Sequence, residues 1–101
     1  MDAHNFKFIK TASGGMFYSG DKVYPDAHID FSNAGDGTIS ADSTEVKPEL
    51  SGQGLAKELV LTLINYAEKE NLKIIPVCSY VVAFFKKNVA YHPILAAETN
   101  L

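Results

Sequence analysis

Hydrophobic and polar residues alternate along the first half of the chain in short runs separated by turn residues. A period of two is typical of half-buried β-strands. Because the connections are too short for crossovers, the runs predict antiparallel strands in a meander. The pairs Gly14-Gly15 and Gly20-Asp21 and the segment 33–37 (NAGDG) predict turns. The predicted strands are NFKFIK (5–10), MFY (16–18), AHIDFS (27–32) and TISADSTEV (38–46).

The period changes in the second half of the chain. From Leu55 to Ala67, apolar residues recur at intervals of three to four, which predicts an amphipathic helix that stops near Asn71. The apolar run LKIIPVC (72–78) predicts a short buried strand that Pro76 interrupts or bulges near its end.

A second helix is predicted over SYVVAFFKKN (79–88), with Ser79 as its N-cap. The element order is therefore ββββαβα. We expect residues 1–101 to form one domain of the α+β (mixed α/β) class.

Composition excludes several function classes. The chain has nine lysines, no arginine, one cysteine and a net charge of −3. A lone cysteine cannot form an internal disulfide, so a reducing, cytoplasmic location is expected. The acidic balance disfavours direct binding to nucleic acid, and no apolar run is long enough to predict a membrane span. The histidines His4, His28 and His92 lie far apart in sequence and do not predict a metal site.

The most specific pattern is the stretch ELSGQGLAKEL (49–59), in which Gly52 and Gly54 directly precede the first helix. A helix N-terminus offers unpaired N–H groups and a partial positive charge, so it attracts anions. Glycine lets the backbone approach such an anion closely and adopt a positive φ. The pattern therefore predicts a phosphate cradle, with a simple tight turn as the alternative. Without arginine, a cradle would rely on backbone N–H groups, with Lys57 as an auxiliary.

The segment SGQGLAKEL resembles the pyrophosphate loop of the GNAT (GCN5-related) N-acetyltransferase superfamily. That loop is written Q/R-x-x-G-x-G/A, and Ser51, Gly54 and Ala56 occupy its defined positions. More narrowly, the chain is similar to the small single-domain branch of that superfamily. The segments that carry this likeness are DSTEV (42–46), IPVCSYV (75–81) and YHPIL (91–95).

The resemblance implies a GNAT-like acyl-CoA N-acyltransferase fold, in which the CoA cleft opens between splayed fourth and fifth strands. It implies acetyl-CoA as the cofactor, with its pantetheine arm along the backbone of residues 44–46 and its pyrophosphate on the loop. The implied cofactor-binding residues are Thr44, Val46, Ser51, Gly52, Gln53, Gly54, Leu55, Ala56, Lys57, Cys78 and Tyr80.

Three positions depart from the family pattern. Ser51 replaces a basic or amide residue at the start of the loop. Ser43 stands where the small branch often has a histidine, a candidate general base. Phe85 aligns with a tyrosine that would protonate the departing thiolate, and a phenylalanine cannot donate a proton.

Cys78, Ser43 and Glu45 are the candidate catalytic residues. A thiol near a thioester could accept the acyl group or protonate the CoA thiolate; the alternative for Cys78 is a small buried apolar residue. Strand alternation would place Ser43 and Glu45 on one face, and Asp42 and Thr44 on the other.

Secondary candidates stand beside these three. Asp42, like Glu45, has a carboxylate that could deprotonate an ammonium, and Tyr80 has a phenol in the segment that follows the fifth strand. His28 is interpreted as a polar-face strand residue.

Three functions remain open from the sequence. The first is an acetyl-CoA-dependent transfer of acetyl to a primary amine, which could belong to a protein lysine, an N-terminus or a small molecule. The second is a CoA or acyl-CoA-binding protein with little or no catalysis. The third is a domain whose cleft is vestigial and which acts through a surface contact. The acceptor cannot be read from the chain.

Overall fold

The computed structural model describes residues 6–97, 99 and 101. His4 lies outside the described residues. Asn5, the predicted start of the first strand, does so too. The elements of the described part are β1 (Lys7–Lys10), β2 (Gly14–Gly20), β3 (Pro25–Gly35), β4 (Thr38–Val46), a 3-10 turn (Pro48–Leu50), α1 (Leu55–Lys69), β5 (Lys73–Pro76), α2 (Ser79–Lys87) and a second 3-10 segment (Val89–Ile94).

The strands form one sheet in the order β1-β2-β3-β4-β5. The first four are antiparallel neighbours, and β5 lies parallel to β4 because α1 carries the chain back across the sheet. The predicted element order and fold class are confirmed. Pro76 ends β5, as its missing N–H requires.

The helix α1 buries one stripe of side chains against the sheet. Leu59, Leu63 and Ala67 are almost fully buried and belong to the same core cluster as Ile29 and Ile39 of β3 and β4. Their spacing of four residues is the pattern that predicted the helix. The helix ends at Lys69, and Asn71 follows with a positive φ of 58°, so the predicted stop is confirmed.

The Gly-Gly turn prediction is wrong, because Gly14 and Gly15 begin β2 and lie inside the sheet. A Cβ on Gly14 would lie 2.1 Å from the carbonyl oxygen of Phe31, and a Cβ on Gly15 would lie 2.7 Å from the rings of Phe31 and Phe8. These glycines therefore permit close approach of neighbouring groups. The turn precedes them, where Thr11 N donates to Gly14 O at 3.1 Å.

The predicted bounds of the next two strands are also too short. β2 extends to Gly20, and β3 spans Pro25–Gly35 instead of residues 27–32. The turn after β3 is confined to Asp36 and Gly37, whose φ values of 49° and 72° suit a two-residue hairpin loop. Asn33 and Gly35 of the predicted turn pair with Ile39 and Thr38 of β4, since pairing depends on the partner strand as well as on composition.

A wedge opens between β4 and β5. Their pairing runs from Thr38 with Lys73 to Ala41 with Pro76, and β4 then continues to Val46 without β5 beside it. Where the strands part, the N–H groups of Val77 and Cys78 both donate to Ala41 O, at 3.1 and 2.9 Å.

A β-bulge lies at the apex of this wedge. Ser43 pairs with Asp30 and Ala41 with Phe31, so Asp42 is an extra residue on β4. A bulge bends its strand and increases its twist. Because Asp42 directly follows the last residue paired with β5, we attribute the divergence of β4 from β5 to this bulge.

Candidate functional site

The loop before α1 presents an open backbone. Gly52 and Gly54 have φ values of 84° and 81°, and no atom lies within 4 Å of the position that a Cβ would take at either residue. Gly54 is the N-cap of α1, and its carbonyl accepts the first helical hydrogen bond from Glu58 N at 3.1 Å. A glycine has no side chain to cap the N–H groups of the first helical turn, so these groups remain available to an anion.

Ser51 does not contribute its hydroxyl to this open side. Its Oγ donates to Pro48 O at 2.9 Å, which closes the 3-10 turn between β4 and the loop. Ser51 therefore fixes the approach of the chain to α1. Because Ser51 is neither basic nor an amide, an anion on the open side would meet backbone N–H groups instead.

A shallow cavity lies against this loop. It has a volume of about 260 Å³, and Val46, Leu50 and Tyr80 line it together with loop and helix residues. The predicted binding residues Ser51, Gly52, Gly54, Leu55, Ala56 and Lys57 also line it, whereas Gln53 is exposed and does not.

A second cavity of about 400 Å³ adjoins the first, since both are lined by Lys57 and Tyr80. Lys87 of α2 lines it as well and adds a second positive charge. Burial raises the pKa of Tyr80, so its phenol keeps its proton at neutral pH. The two cavities together form a groove that combines backbone donors, two lysines and a phenol.

Cys78 lies beside Thr44 at the mouth of the wedge. Its Sγ donates to Thr44 Oγ1 at 3.6 Å, and the residue occupies the N-cap position of α2. The prediction of Ser79 as the N-cap is wrong by one residue, because α2 begins at Ser79 itself. The N-cap side chain that points toward the helix N-terminus is therefore a thiol.

The environment of Cys78 favours the thiolate. Burial by itself would raise the pKa of the thiol, but hydrogen bonding to the backbone of Val81 and to the Thr44 side chain opposes it. Backbone groups of Tyr80 and Thr44 act in the same direction, and the net result is a pKa below the ordinary value. The neutral thiol makes no capping hydrogen bond, so these N–H groups act on the charged form.

The bulge at Asp42 overturns one part of the predicted faces of β4: Asp42 does not share a face with Thr44, whereas the common face of Ser43 and Glu45 is confirmed. Asp42 accepts hydrogen bonds from Ser32 and Ser40, while Ser43 pairs across the sheet with Asp30. Asp42, Ser43 and Glu45 therefore share the face opposite the helical core, because the extra residue shifts the alternation. Thr44 does not share a face with Asp42; it pairs with the buried Ile29.

A network of polar side chains covers this outer face of β3 and β4, which we call the polar face. Ser43 Oγ donates to Asp30 Oδ2 at 2.7 Å. His28 lies between two carboxylates, with Nδ1 3.4 Å from Asp30 Oδ1 and Nε2 3.3 Å from Glu45 Oε1. The side chain of Glu45 is 77% exposed. The members of the polar face are His28, Asp30, Ser32, Ser40, Asp42, Ser43 and Glu45.

A large cavity opens on the polar face. It measures about 720 Å³, and His28, Thr44 and Glu45 form part of its wall. Tyr24, which is 77% exposed, stands at its edge. Thr44 therefore borders both this cavity and Cys78, so the polar face and the wedge meet at one residue.

The structure separates Cys78 from the other two predicted catalytic residues, which both lie on the polar face. Cys78 lies at the wedge, the Ser43 hydroxyl donates to Asp30, and Glu45 contacts His28. Sequence reasoning missed the contacts of His28 with Glu45 and of Asp30 with Ser43. Their common face follows from strand alternation, but their approach to Glu45 and Ser43 depends on the register of β3 against β4, which the sequence does not state.

Phe85 lies away from the groove. Its side chain is fully buried in the core, where its ring meets that of Phe84 edge-on. It therefore cannot face a ligand in this structure. Of the described residues, no group of three or more His, Cys, Asp or Glu side chains is placed to hold a metal ion. Nor does the described part of the chain contain a helix long and apolar enough to cross a membrane.

Comparison with known proteins agrees with this geometry. The family model for GCN5-related N-acetyltransferases matches residues 17–94. The solution structure of a GCN5-like protein from Staphylococcus aureus is similar, with a TM-score of 0.71 and 28% identity over 89% of this chain and 87% of that one.

A second solved structure shares the fold. It is the ribosomal-protein-alanine N-acetyltransferase of Brucella melitensis biovar Abortus 2308, with a TM-score of 0.60 and 18% identity over 90% of this chain and 67% of that one. No curated protein sequence gave a significant match. With its glycine loop, its wedge and a family match over most of its length, the chain belongs to the GCN5-related N-acetyltransferase family.

Proposed function

We propose that the protein is an acetyl-CoA-dependent N-acetyltransferase that transfers acetyl to a primary amine of a protein or a small molecule. The observation that carries this proposal is the open glycine loop at the N-terminus of α1, next to the wedge between β4 and β5. Membership of the family supports the reaction class.

The loop suits a pyrophosphate in shape and charge. Both glycines leave open space where a side chain would stand, and the Gly54 N-cap gives the first-turn N–H groups of α1 no side-chain hydrogen bond. Lys57 and Lys87 line the adjoining groove and add positive charge. An acyl-CoA on this loop would direct its pantetheine arm along residues 44–46 into the wedge.

Cys78 would then lie near the thioester. Its thiol has a pKa below the ordinary value, so it gives up its proton more readily than an unperturbed thiol. Two roles follow from this chemistry: protonation of the departing CoA thiolate, or acceptance of the acyl group by the Cys78 thiolate. Hydroxylamine trapping separates these roles: acyl acceptance would leave a thioester on Cys78 of the wild type that is absent from Cys78→Ser, whereas proton donation would leave no acyl group on the protein.

Calorimetric titration with CoA and acetyl-CoA tests the binding site. We expect the wild type to bind both ligands and Gly54→Glu to lose binding, because its carboxylate would occupy the pyrophosphate position. Gly35→Glu is the matched control. Gly35 also has a positive φ, of 83°, and open space around it, but it lies on the hairpin between β3 and β4.

Binding by Gly35→Glu with loss in Gly54→Glu would support the cradle. Loss in both variants would show that the defect comes from backbone strain, and absence of binding in the wild type would overturn the proposal. Both variants place glutamate at a positive φ, so their strain energies are comparable.

A binding protein with little turnover is the second candidate function. Two observations favour it: the Ser43 hydroxyl is engaged with Asp30, and Phe85 is buried where it cannot donate a proton. A protein that binds acetyl-CoA but acetylates no amine in a broad panel would belong to this class. Measured transfer to any of these amines would decide for the enzyme.

A further inference from the structure

His28 lines the polar-face cavity, and carboxylates on both sides of its imidazole restrict the orientation of the ring. Its side chain is 16% exposed and lines the cavity beside Thr44 and Glu45. Nε2 lies 3.3 Å from Glu45 Oε1, and Nδ1 lies 3.4 Å from Asp30 Oδ1. Asp30 is fixed in turn by the Ser43 hydroxyl at 2.7 Å. An imidazole held between carboxylates at a cavity wall is suited to proton transfer.

The two nitrogens of His28 have different surroundings. Nδ1 is buried, lies 3.4 Å from Asp30 Oδ1 and makes no hydrogen bond with the described residues, whereas Nε2 contacts Glu45 Oε1, and the tautomer decides which nitrogen carries the proton. An imidazole with its proton on Nδ1 presents the Nε2 lone pair toward Glu45 Oε1. Two acceptors 3.3 Å apart then lack a hydrogen between them, and an alkylammonium group would supply hydrogens to both.

We propose that the acceptor amine enters through the polar-face cavity, where Glu45 binds its ammonium group and His28 accepts its proton. This inference rests on the proposed acetyl transfer. Thr44 connects the two parts of the site, because it lines the cavity and also accepts a hydrogen bond from Cys78 at the wedge. His28 of β3 thus acts as the general base, a role that the Ser43 hydroxyl cannot take.

The proposed transfer conserves protons and electrons. The ammonium gives one proton to His28 Nε2, which later releases it to water. The freed nitrogen lone pair forms a C–N bond with the thioester carbonyl carbon, and the C–S bond breaks with its electrons on the CoA sulfur. A second nitrogen proton balances the one taken up by that thiolate. Ammonium and thioester thus yield an amide, a thiol and one proton. The acceptor class is a primary alkylamine that is cationic in solution.

Other charged or titratable groups surround His28. Tyr18 of β2 lies directly opposite it across the sheet, and Lys7 Nζ of β1 lies 5.8 Å from the centre of the Tyr18 ring. Asp30 on the same strand and Glu45 on β4 lie beside its two nitrogens. The wall of the cavity also carries Tyr24 and the ion pair of Lys47 with Asp26, whose Nζ and Oδ1 lie 2.9 Å apart. A pH profile of the reaction therefore reflects His28 together with these neighbours, and comparison with a variant is required.

His28→Gln tests the assignment, because glutamine preserves a polar side chain of similar reach but cannot take up a proton. Acetyl transfer to N-acetyl-lysine amide, to spermidine and to a peptide with a free N-terminus would be measured as a function of pH. We expect kcat to fall about a hundredfold. We also expect the acid limb of the pH profile to disappear, with acetyl-CoA binding unchanged. Added imidazole should restore part of the activity to His28→Ala.

His92→Gln is the matched control, since His92 contacts Phe85 O at 2.7 Å outside the polar-face cavity. If His28→Gln does not fold, Glu45→Gln provides the second test, with a raised KM for the amine expected at unchanged acetyl-CoA affinity. An active His28→Gln with the wild-type pH profile would overturn the role of His28 alone. A wild type that binds acetyl-CoA but acetylates none of the three amines would overturn the proposed transfer, and this inference with it.

Discussion

At the scale of single residues, the environment of Cys78 is the feature with direct chemical consequences. The thiol is partly buried, yet hydrogen bonding at the start of α2 and from Thr44 lowers its pKa. A lone cysteine in a small core is ordinarily inert. At this position its pKa is lowered at the mouth of the wedge, and its ionisation can be measured without knowing the acceptor.

The rate of Cys78 alkylation by iodoacetamide should therefore rise with pH at a lower midpoint than that of a cysteine peptide. Thr44→Val should move the midpoint upward, because valine keeps the shape but removes the hydroxyl that stabilises the thiolate. Thr62→Val is the control, since Thr62 bonds within α1 to Glu58 O. A wild-type midpoint equal to that of the peptide would contradict the assignment.

The same shift has a defined effect on stability. Because the folded pKa lies below the unfolded one, ionisation of Cys78 adds stability above the unfolded pKa. This contribution is lost as the pH falls through the folded pKa. The free energy of unfolding of the wild type relative to Cys78→Ser should therefore be larger in mildly alkaline solution than at neutral pH. Denaturant titration at the two pH values measures this difference.

At the scale of elements, the start of β2 requires glycine because the space beside it cannot hold a Cβ. The backbone of β3 lies so close to Gly14 that a Cβ would meet Phe31 O at 2.1 Å. The loop glycines have the opposite surroundings, with open space and a positive φ. Glycine thus permits close packing at the start of β2 and leaves open space in the loop before α1.

Gly14→Ala should destabilise the fold more than Gly52→Ala. We expect a loss of about 3 kcal/mol at Gly14, because the clashing atom is backbone and cannot rotate away. At Gly52 the loss should be about 1 kcal/mol, from the positive φ alone. Urea titration of both variants gives the comparison, and equal losses would show that β2 and β3 separate at little cost.

At the scale of the whole molecule, the loop, the wedge and the start of α2 form the proposed acetyl-CoA site, while β1 and β2 lie at the far edge of the sheet. Acetyl-CoA should therefore slow amide hydrogen exchange in residues 42–57 and 77–80 and leave residues 7–20 unchanged. Mass spectrometry of proteolytic fragments would detect this pattern. Protection confined to β3, residues 25–35, would place the ligand elsewhere.

The parts of this fold that the sequence predicted are those encoded locally. The period of α1, the glycines before it and Pro76 at the end of β5 each act through their own neighbours in the chain. The Gly14-Gly15 pair and the bulge at Asp42 depend on β3, which is distant in sequence. The contact of His28 with Glu45 depends on the same register, so the polar face became visible only in three dimensions.

The bulge also has a consequence for changes in chain length. If the codon for Asp42 were deleted, Ser43 could still pair with Asp30 and Ala41 with Phe31, so no other side chain of β4 would change face. The bend would be lost, together with the hydrogen bonds that Ser32 and Ser40 donate to Asp42. Deletion of a residue between Thr44 and Val46 would instead reverse the outward and inward positions that follow it. The width of the wedge and the orientation of its walls are therefore separable, and an insertion or deletion could alter one while sparing the other.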